Sequence, residues 1–403
     1  MTSASLARPA PRAAVHRATD AVLVTDGEQR AALAIVRSLG RAGYRVFVCS
    51  TRARSLAGAS RHCAGSAAVP DPLRDPTAFV RAVESLATRW GAETLLPVSE
   101  PSLLALLPER ERLDLHIPFP DDATFRRVCD KAAVAEAAAR VGIRVPAQHV
   151  LHAPGEMDES ALRFPLVVKP SRSVVGGAGE RSKAAVVHAD GAAALRAALR
   201  SLPDAAYPLL LQERVMGDGV GVFLLMRDGR AEAAFAHRRL REKPPSGGVS
   251  VYRESVALDP DLLRRSEALL REFAWEGVAM VEYKEDASGT PCIMEINGRF
   301  WGSLQLAIDA GVDFPALLLA GGTVPAPYRV GVRSRWEWGE VDHLLLRLRR
   351  GARELSLPPG APSRARAAAD FLAALGPGSR AEIFRLDDPL PFLRESLDWL
   401  RRR

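Results

Sequence analysis

Cysteine is scarce in this chain. Its four cysteines, Cys49, Cys63, Cys129 and Cys292, are scattered over 403 residues and never stand in C-x-x-C spacing. That spread argues against a zinc site or a disulfide framework and fits a reducing, cytoplasmic setting. Aromatic residues make up 6% of the sequence, so the net charge of +7 lacks the interleaved stacking partners that nucleic-acid binding uses. No apolar run approaches the roughly 20 residues needed to cross a bilayer. The first 20 residues are rich in Ala, Arg and Pro and carry no apolar signal core, so a disordered tail is expected over 1–20. Internal repeats are also missing, and the length suits two or three domains.

Among the patterns present, the first is an alternation of strand and helix. Residues 21–26 read as an apolar strand, 29–42 as an amphipathic helix and 43–49 as a second strand. This order predicts a parallel, Rossmann-like sheet over 21–120, continued by a helix at 76–90 and a strand at 94–98. The first strand-to-helix turn, Thr25-Asp26-Gly27-Glu28, lacks G-x-G-x-x-G and is a poor dinucleotide site. Asp26, Ser99 and Glu100 fall where parallel strands face ligand crevices, but helix N-caps or solvated loop residues are the favoured reading of them.

Residues 293–300 bring Glu295, Asn297 and Arg299 onto one face of a strand by period-2 alternation. Thirteen positions before Glu295, Glu282 sits on a similar apolar strand with Lys284, and 286–290 supplies the turn between the strands. Two carboxylates and an amide offer hard oxygen ligands for Mg²⁺ or Mn²⁺, and a planar guanidinium can clamp phosphate. A solvated hairpin face is the plainer reading of Glu-x-Asn-x-Arg alone, and the paired Glu282 strand tips the balance towards a metal–phosphate site. Upstream, an apolar strand ends at Lys169 and enters a small-residue loop, 171–179, containing Gly176 and Gly177. Glycines let backbone N–H groups approach phosphate oxygens. A Walker A loop is excluded, because Lys183 stands four residues after Gly179.

Taken in order, these runs resemble the ATP-grasp superfamily, and within it the ATP-dependent carboxylate–amine ligases. The resemblance implies an α/β and α+β multidomain chain. A pre-ATP-grasp domain over 21–120 would precede an ATP-grasp domain over 121–330, with lobes at 121–207 and 208–330. A mainly helical extension would follow over 331–403. It further implies that Lys131, opening an Ala-rich helix after Asp130, and Lys169 contact the phosphates of ATP, and that the loop with Gly176 and Gly177 closes over them. Gln212, Glu213, Arg214 and Val215 would form the adenine hinge, with Asp218 where many relatives carry a ribose-binding Glu. Glu282, Glu295 and Asn297 would hold Mg²⁺ or Mn²⁺, and Arg299, Lys284 and Arg241 would act as catalytic cations. Arg241 lies in the cation-rich stretch 238–243, which with its Pro/Gly turn reads as a mobile loop.

The implied reaction activates a carboxylate as an acyl phosphate for attack by an amine. A phosphotransferase or carboxylase on the same scaffold, or a non-catalytic ATP-binding regulator, is the alternative. The expected partners are a small carboxylate and an amine, with a homodimer compatible. Residues 391–403 read as an amphipathic helix with Phe392, Leu397 and Leu400 docked on the protein's own surface rather than on a membrane.

Overall fold

The computed structural model describes residues 20–156, 159, 162–176, 181–183, 186–286, 288–322, 327–357 and 360–402. The tail expected over 1–20 and the candidate Gly177 therefore lie almost wholly and wholly, respectively, outside the described residues. The N-terminal layer runs β1 (Ala21–Val24), α1 (Arg30–Arg41), β2 (Arg45–Ser50), β3 (Cys63–Ala68), α2 (Pro76–Trp90), β4 (Ala92–Leu96) and α3 (Glu100–Leu106). Its four strands are all parallel, in the order β3-β2-β1-β4. β1 is buried along its whole length, as a parallel strand covered on both faces must be. α2 starts where the Asp75 side chain accepts from the Ala78 amide and ends at Gly91, whose φ of 61° suits glycine.

Two short helices, α4 (Asp122–Cys129) and α5 (Lys131–Arg140), lead into a small lobe. That lobe contains β5 (Gln148–Leu151), β6 (Leu166–Pro170), β7 (Val174–Gly176), β8 (Arg181–Lys183), β9 (Val187–Ala189), α6 (Ala192–Ser201) and β10 (Leu209–Glu213). Its sheet has the order β5-β10-β6-β9, and Leu151, Leu166, Val168, Leu209 and Leu211 form its separate core. β10 is antiparallel to both β5 and β6. The lobe boundary thus falls after Glu213 rather than near Pro208, because the buried leucines of β10 complete the small lobe's core.

The large lobe contains β11 (Gly219–Arg227), β12 (Arg230–Lys243), β13 (Val249–Ser255), α7 (Pro260–Glu272), β14 (Gly277–Glu285), β15 (Pro291–Asn297), α8 (Leu304–Ala310) and α9 (Phe314–Ala320). Residues 238–243, expected as a loop, are the end of β12 and pair with β13, so only the short 244–248 connection turns. Their charges do not force a loop because each long side chain finds an acid: Arg239 pairs with Glu242, Arg241 with Glu340 and Lys243 with Asp342.

The last stretch carries β16 (Arg333–Arg335), α10 (Glu337–Arg349), α11 (Arg364–Ala373), β17 (Ser379–Ala381) and α12 (Leu390–Arg401). Alongside its helices it thus supplies two strands to a seven-stranded sheet ordered β15-β14-β11-β12-β13-β16-β17. It also reaches back to the N-terminal layer. The Arg37 guanidinium, 1% exposed, donates to Asp388 at 2.8 Å and to the Ile383 carbonyl at 2.9 Å. Glu382 is shared between Arg30 and Arg253. α12 docks differently from expectation. Phe392 and Trp399 stack on Trp338, while Leu397 and Leu400 are exposed. Among the described residues no helix is long and apolar enough to cross a membrane.

Candidate functional site

β14 and β15 form an antiparallel pair in which Glu282 lies directly opposite Glu295 and Met280 opposite Asn297. Strand alternation therefore puts Glu282, Lys284, Glu295 and Asn297 on one face. The opposite face is closed by α7, where the buried Tyr283 hydroxyl lies 2.8 Å from Ser266 Oγ. The turn at 286–290 is closed by the Asp286 amide donating to the Thr290 carbonyl at 3.1 Å.

A relay of polar contacts runs along the site. Arg299 Nη2 donates to Asn297 Oδ1 at 2.9 Å, and Asn297 Nδ2 donates to Glu295 Oε1 at 3.0 Å. Lys131 Nζ stands 3.8 Å from Glu295 Oε2 and donates to Ser173 Oγ at 2.9 Å. The Lys131 amide donates to the Ser171 carbonyl at 2.9 Å, which ties the start of α5 to the end of β6. Lys169, at the end of β6, is buried, and its Nζ lies 3.5 Å from the Met294 carbonyl. The two candidate phosphate lysines thus converge on Glu295 from different elements.

These neighbours set the ionisation of the site. Burial pushes the Lys169 ammonium down to about 8, against the pull of Glu295. Burial alone would raise Glu295, but Lys131 and Lys169 outweigh it and hold the carboxyl below its ordinary value. Glu282 moves the other way. Burial raises it, and the Glu295 charge adds to the rise against the opposing Arg239. Two facing carboxylates with displaced ionisation are the pattern of a cation site.

Glu282, Glu295 and Asn297 offer only oxygen donors and two negative charges, which fits a hard divalent cation that completes its shell from phosphates and water. Among the described residues no cluster of three or more His, Cys, Asp and Glu side chains could hold a metal without such help.

Arg239 belongs to the 238–243 cation run, from which the sequence singled out only Arg241. Its Nη2 lies 2.6 Å from Glu282 Oε2 and its Nη1 2.9 Å from Glu242 Oε1. The available signal was Gly219-x-Gly221, glycines on the neighbouring strand that leave the face bare. Arg241, in contrast, is gripped by Glu340 through Nε at 3.0 Å and Nη2 at 2.6 Å and covers the Tyr252 ring. That fork makes it part of the wall towards α10.

A cleft of about 740 Å³ is lined by Arg214, Val215, Asp218, Arg239, Arg241 and Lys284, together with residues of α10 and α11. The hinge candidates fall into two groups. Gln212 is buried and donates to Gln148 at 2.9 Å, and the Glu213 and Arg214 amides donate to the carbonyls of Ala147 and Pro165. Reading a base edge through those two amides would break these bonds, whereas Val215 lines the cleft. Gly176 ends β7 with a φ of 117°, a conformation that favours glycine, and lines a smaller cavity with Arg172 and Arg181.

A second cavity, about 210 Å³, joins Glu295, Asn297 and Arg299 to Gln29, Ser99 and Glu100 of the N-terminal layer. Asp26 does not line it. Its carboxylate accepts from the Ser99 amide at 3.0 Å and from the hydroxyls of Ser99 and Ser102, so it braces the start of α3.

Comparison with known proteins bears on the fold. The family described as "ATP-grasp in the biosynthetic pathway with Ter operon" matches residues 205–338. No curated protein matches the chain. Among solved structures, the L-amino acid ligase from Bacillus licheniformis is 18% identical with a TM-score of 0.62, over 79% of each chain. N5-carboxyaminoimidazole synthetase from Staphylococcus aureus, complexed with ADP, is 13% identical with a TM-score of 0.60, over 78% of this chain and 80% of that one. Biotin carboxylase from Campylobacter jejuni has the same identity and score, over 78% and 74%. At such identities the likeness establishes the fold. The chain has an ATP-grasp fold, and its residues 205–338 match an ATP-grasp family.

Proposed function

We propose that the chain is an ATP-dependent carboxylate–amine ligase, forming an amide or peptide bond with release of ADP and phosphate. The observation that carries this reading is the facing pair Glu282 and Glu295, flanked by Lys131 and Lys169 and continued through Asn297 to Arg299 in a separate cavity. A carboxylate is a poor electrophile because oxide is a poor leaving group. Attack of its oxygen on the γ-phosphoryl group of ATP breaks the bond to ADP and gives an acyl phosphate. An amine then adds to the acyl carbon, phosphate departs with the bonding pair and the amine proton passes to solvent or phosphate.

The residues divide this work. Lys131 and Lys169 position the phosphates, and the backbone at Gly176 approaches them. Val215 and its neighbours hold the adenine, and Asp218 reaches the ribose. Arg299 stands where the carboxylate would enter from the smaller cavity and stabilises the charge that develops there. Lys284 and Arg239 add positive potential along the floor of the cleft, while Arg241 fixes its wall. Mg²⁺ or Mn²⁺, held by Glu282, Glu295 and Asn297, supplies charge neutralisation to the phosphates when bound. The similarity to the L-amino acid ligase supports an amine-acceptor reaction; the similarity to biotin carboxylase makes a carboxylase the reading to test against.

ADP and phosphate release with a panel of carboxylates and amines tests the proposal. Phosphate released only when an acid and an amine are both present supports the ligase. Nucleotide binding without ADP formation across the panel sinks it, and bicarbonate-dependent phosphate release without an amine would favour the carboxylase.

A further inference from the structure

The last helix turns its leucines to solvent. Leu390, Leu393, Leu397 and Leu400 of α12 are each more than half exposed. The helix is held to the protein by its other face. There Glu395 accepts from the Trp336 indole at 2.8 Å, Ser396 accepts from the Trp338 indole at 2.8 Å, and Phe392 and Trp399 stack on Trp338. The outward stripe is therefore an unpaired apolar seam on an anchored helix.

The spacing of the stripe says what fits it. The intervals between successive leucines are three, four and three residues, the repeat of a two-helix seam, and they read the same in either direction. A two-fold axis at the level of residue 395 sets Leu390 against Leu400 of a second copy and Leu393 against Leu397. One surface is then complementary to itself, as an isologous contact requires. The charges agree with that antiparallel sense. Asp387 precedes the helix and Arg401 and Arg402 close it, so reversal brings an acidic end to a basic end, while Asp388 is buried against Arg37 and takes no part. Asp387 is half-exposed and also pairs with Arg41 at 2.8 Å. The helix dipoles favour the same arrangement.

Other occupants fit less well. Residues 1–19 offer Leu6 and Val15, nine positions apart, as their only branched aliphatic side chains, too few to cover four leucines. A membrane surface would want a basic flank along the helix, whereas Arg394 and Asp398 neutralise each other at 3.0 Å. We propose that α12 forms the interface of a two-fold homodimer through an antiparallel leucine seam. One helix pair is small against the ~1,200–2,000 Å² of a stable interface, so the dimer should dissociate at about micromolar concentration.

Sedimentation of the full chain over a concentration series tests this. The expected result is a monomer–dimer equilibrium that L393E/L397E weakens by about a hundredfold or more, with helix content unchanged by circular dichroism. The sense of pairing is read by cysteine cross-linking under a mild oxidant. A mixture of the single variants L393C and L397C should form disulfide-linked dimers, and L393C alone should not. A chain that stays monomeric well above micromolar concentration overturns the proposal. So does a dimer indifferent to L393E/L397E, cross-linking of L393C with itself, or a wild-type monomer that binds anionic phosphatidylglycerol vesicles through α12.

Discussion

Arg239 passes over Gly219 to place its guanidinium 2.6 Å from Glu282. On β11, Gly219 faces Lys284 and Gly221 faces Glu282. A Cβ on Gly219 would stand 2.8 Å from the Arg239 Cδ, so the bare strand is what allows the side chain to lie flat across the sheet. Burial alone would lower the Arg239 proton affinity, but Glu282 and Glu242 outweigh it and keep the guanidinium charged.

Removing that cation should be costly. Arg239→Met leaves Glu282 partly buried beside Glu295 without its partner and should destabilise the fold by about 3–5 kcal/mol. Glu282→Gln in the same background should recover part of the loss, because the orphaned charge goes with it. Thermal or urea melts of the two singles and the double measure the coupling; unchanged melting of Arg239→Met would show that the pair is not a stabilising one.

Glu295→Gln separates chemistry from folding. It should lower ADP release by at least about a hundredfold, since a cation ligand worth several kcal/mol is lost. The fold should be retained by circular dichroism, with a lowered melting temperature because Lys131 and Lys169 lose the acid they face. Full activity in the variant would remove Glu295 from the site.

Lys169 supplies a pH signature. Its ammonium is held down to about 8 mainly by burial, and phosphate oxygens beside it would restore its proton. Nucleotide binding should therefore take up protons above about pH 8, with affinity falling as the pH rises further. Calorimetry in buffers of different ionisation enthalpy reads the uptake directly. Lys169→Arg, which keeps its charge, should flatten the dependence.

Glu395 gives the opposite kind of dependence, in stability. Burial raises its carboxyl to about 7, with the Trp336 indole N–H opposing the rise. The folded state then holds the proton more tightly than the unfolded state, whose carboxyl titrates near 4.5. This contribution is full below about pH 4.5 and is lost as pH rises through about 7. Glu395→Gln should consequently stabilise the chain by about 1–3 kcal/mol at pH 8, after allowance for partial exposure, and by little at pH 4. Urea titrations at the two pH values check the sign.

How much was legible beforehand depends on how local each signal is. Glu282, Glu295 and Asn297 stood out because period-2 alternation within apolar strands is a property of neighbouring residues. Their cross-strand alignment follows from a short turn. The 238–243 stretch misled because dense charge suggests a loop, whereas its arginines are matched by Glu242, Glu282 and Glu340. The last of those partners is 99 positions from Arg241. No local pattern distinguishes Arg239, turned to the carboxylates, from Arg241, turned to α10. In α12 the helical period showed an apolar stripe, but periodicity does not say what covers it, and the aromatic–polar face took the protein side. The three-residue strands β16 and β17 are too short to carry a pattern and exist because a sheet edge was available to receive them.

The clasp between Arg37 and Asp388 spans 351 positions of sequence. During synthesis, α1 is made long before the segment that neutralises its buried guanidinium, and Arg253 likewise waits for Glu382. A ribosome-held chain stopped before residue 379 should thus carry these arginines without their acids, with α1 cut readily by protease until the remaining residues are added. The first layer to be translated would be among the last to become protected.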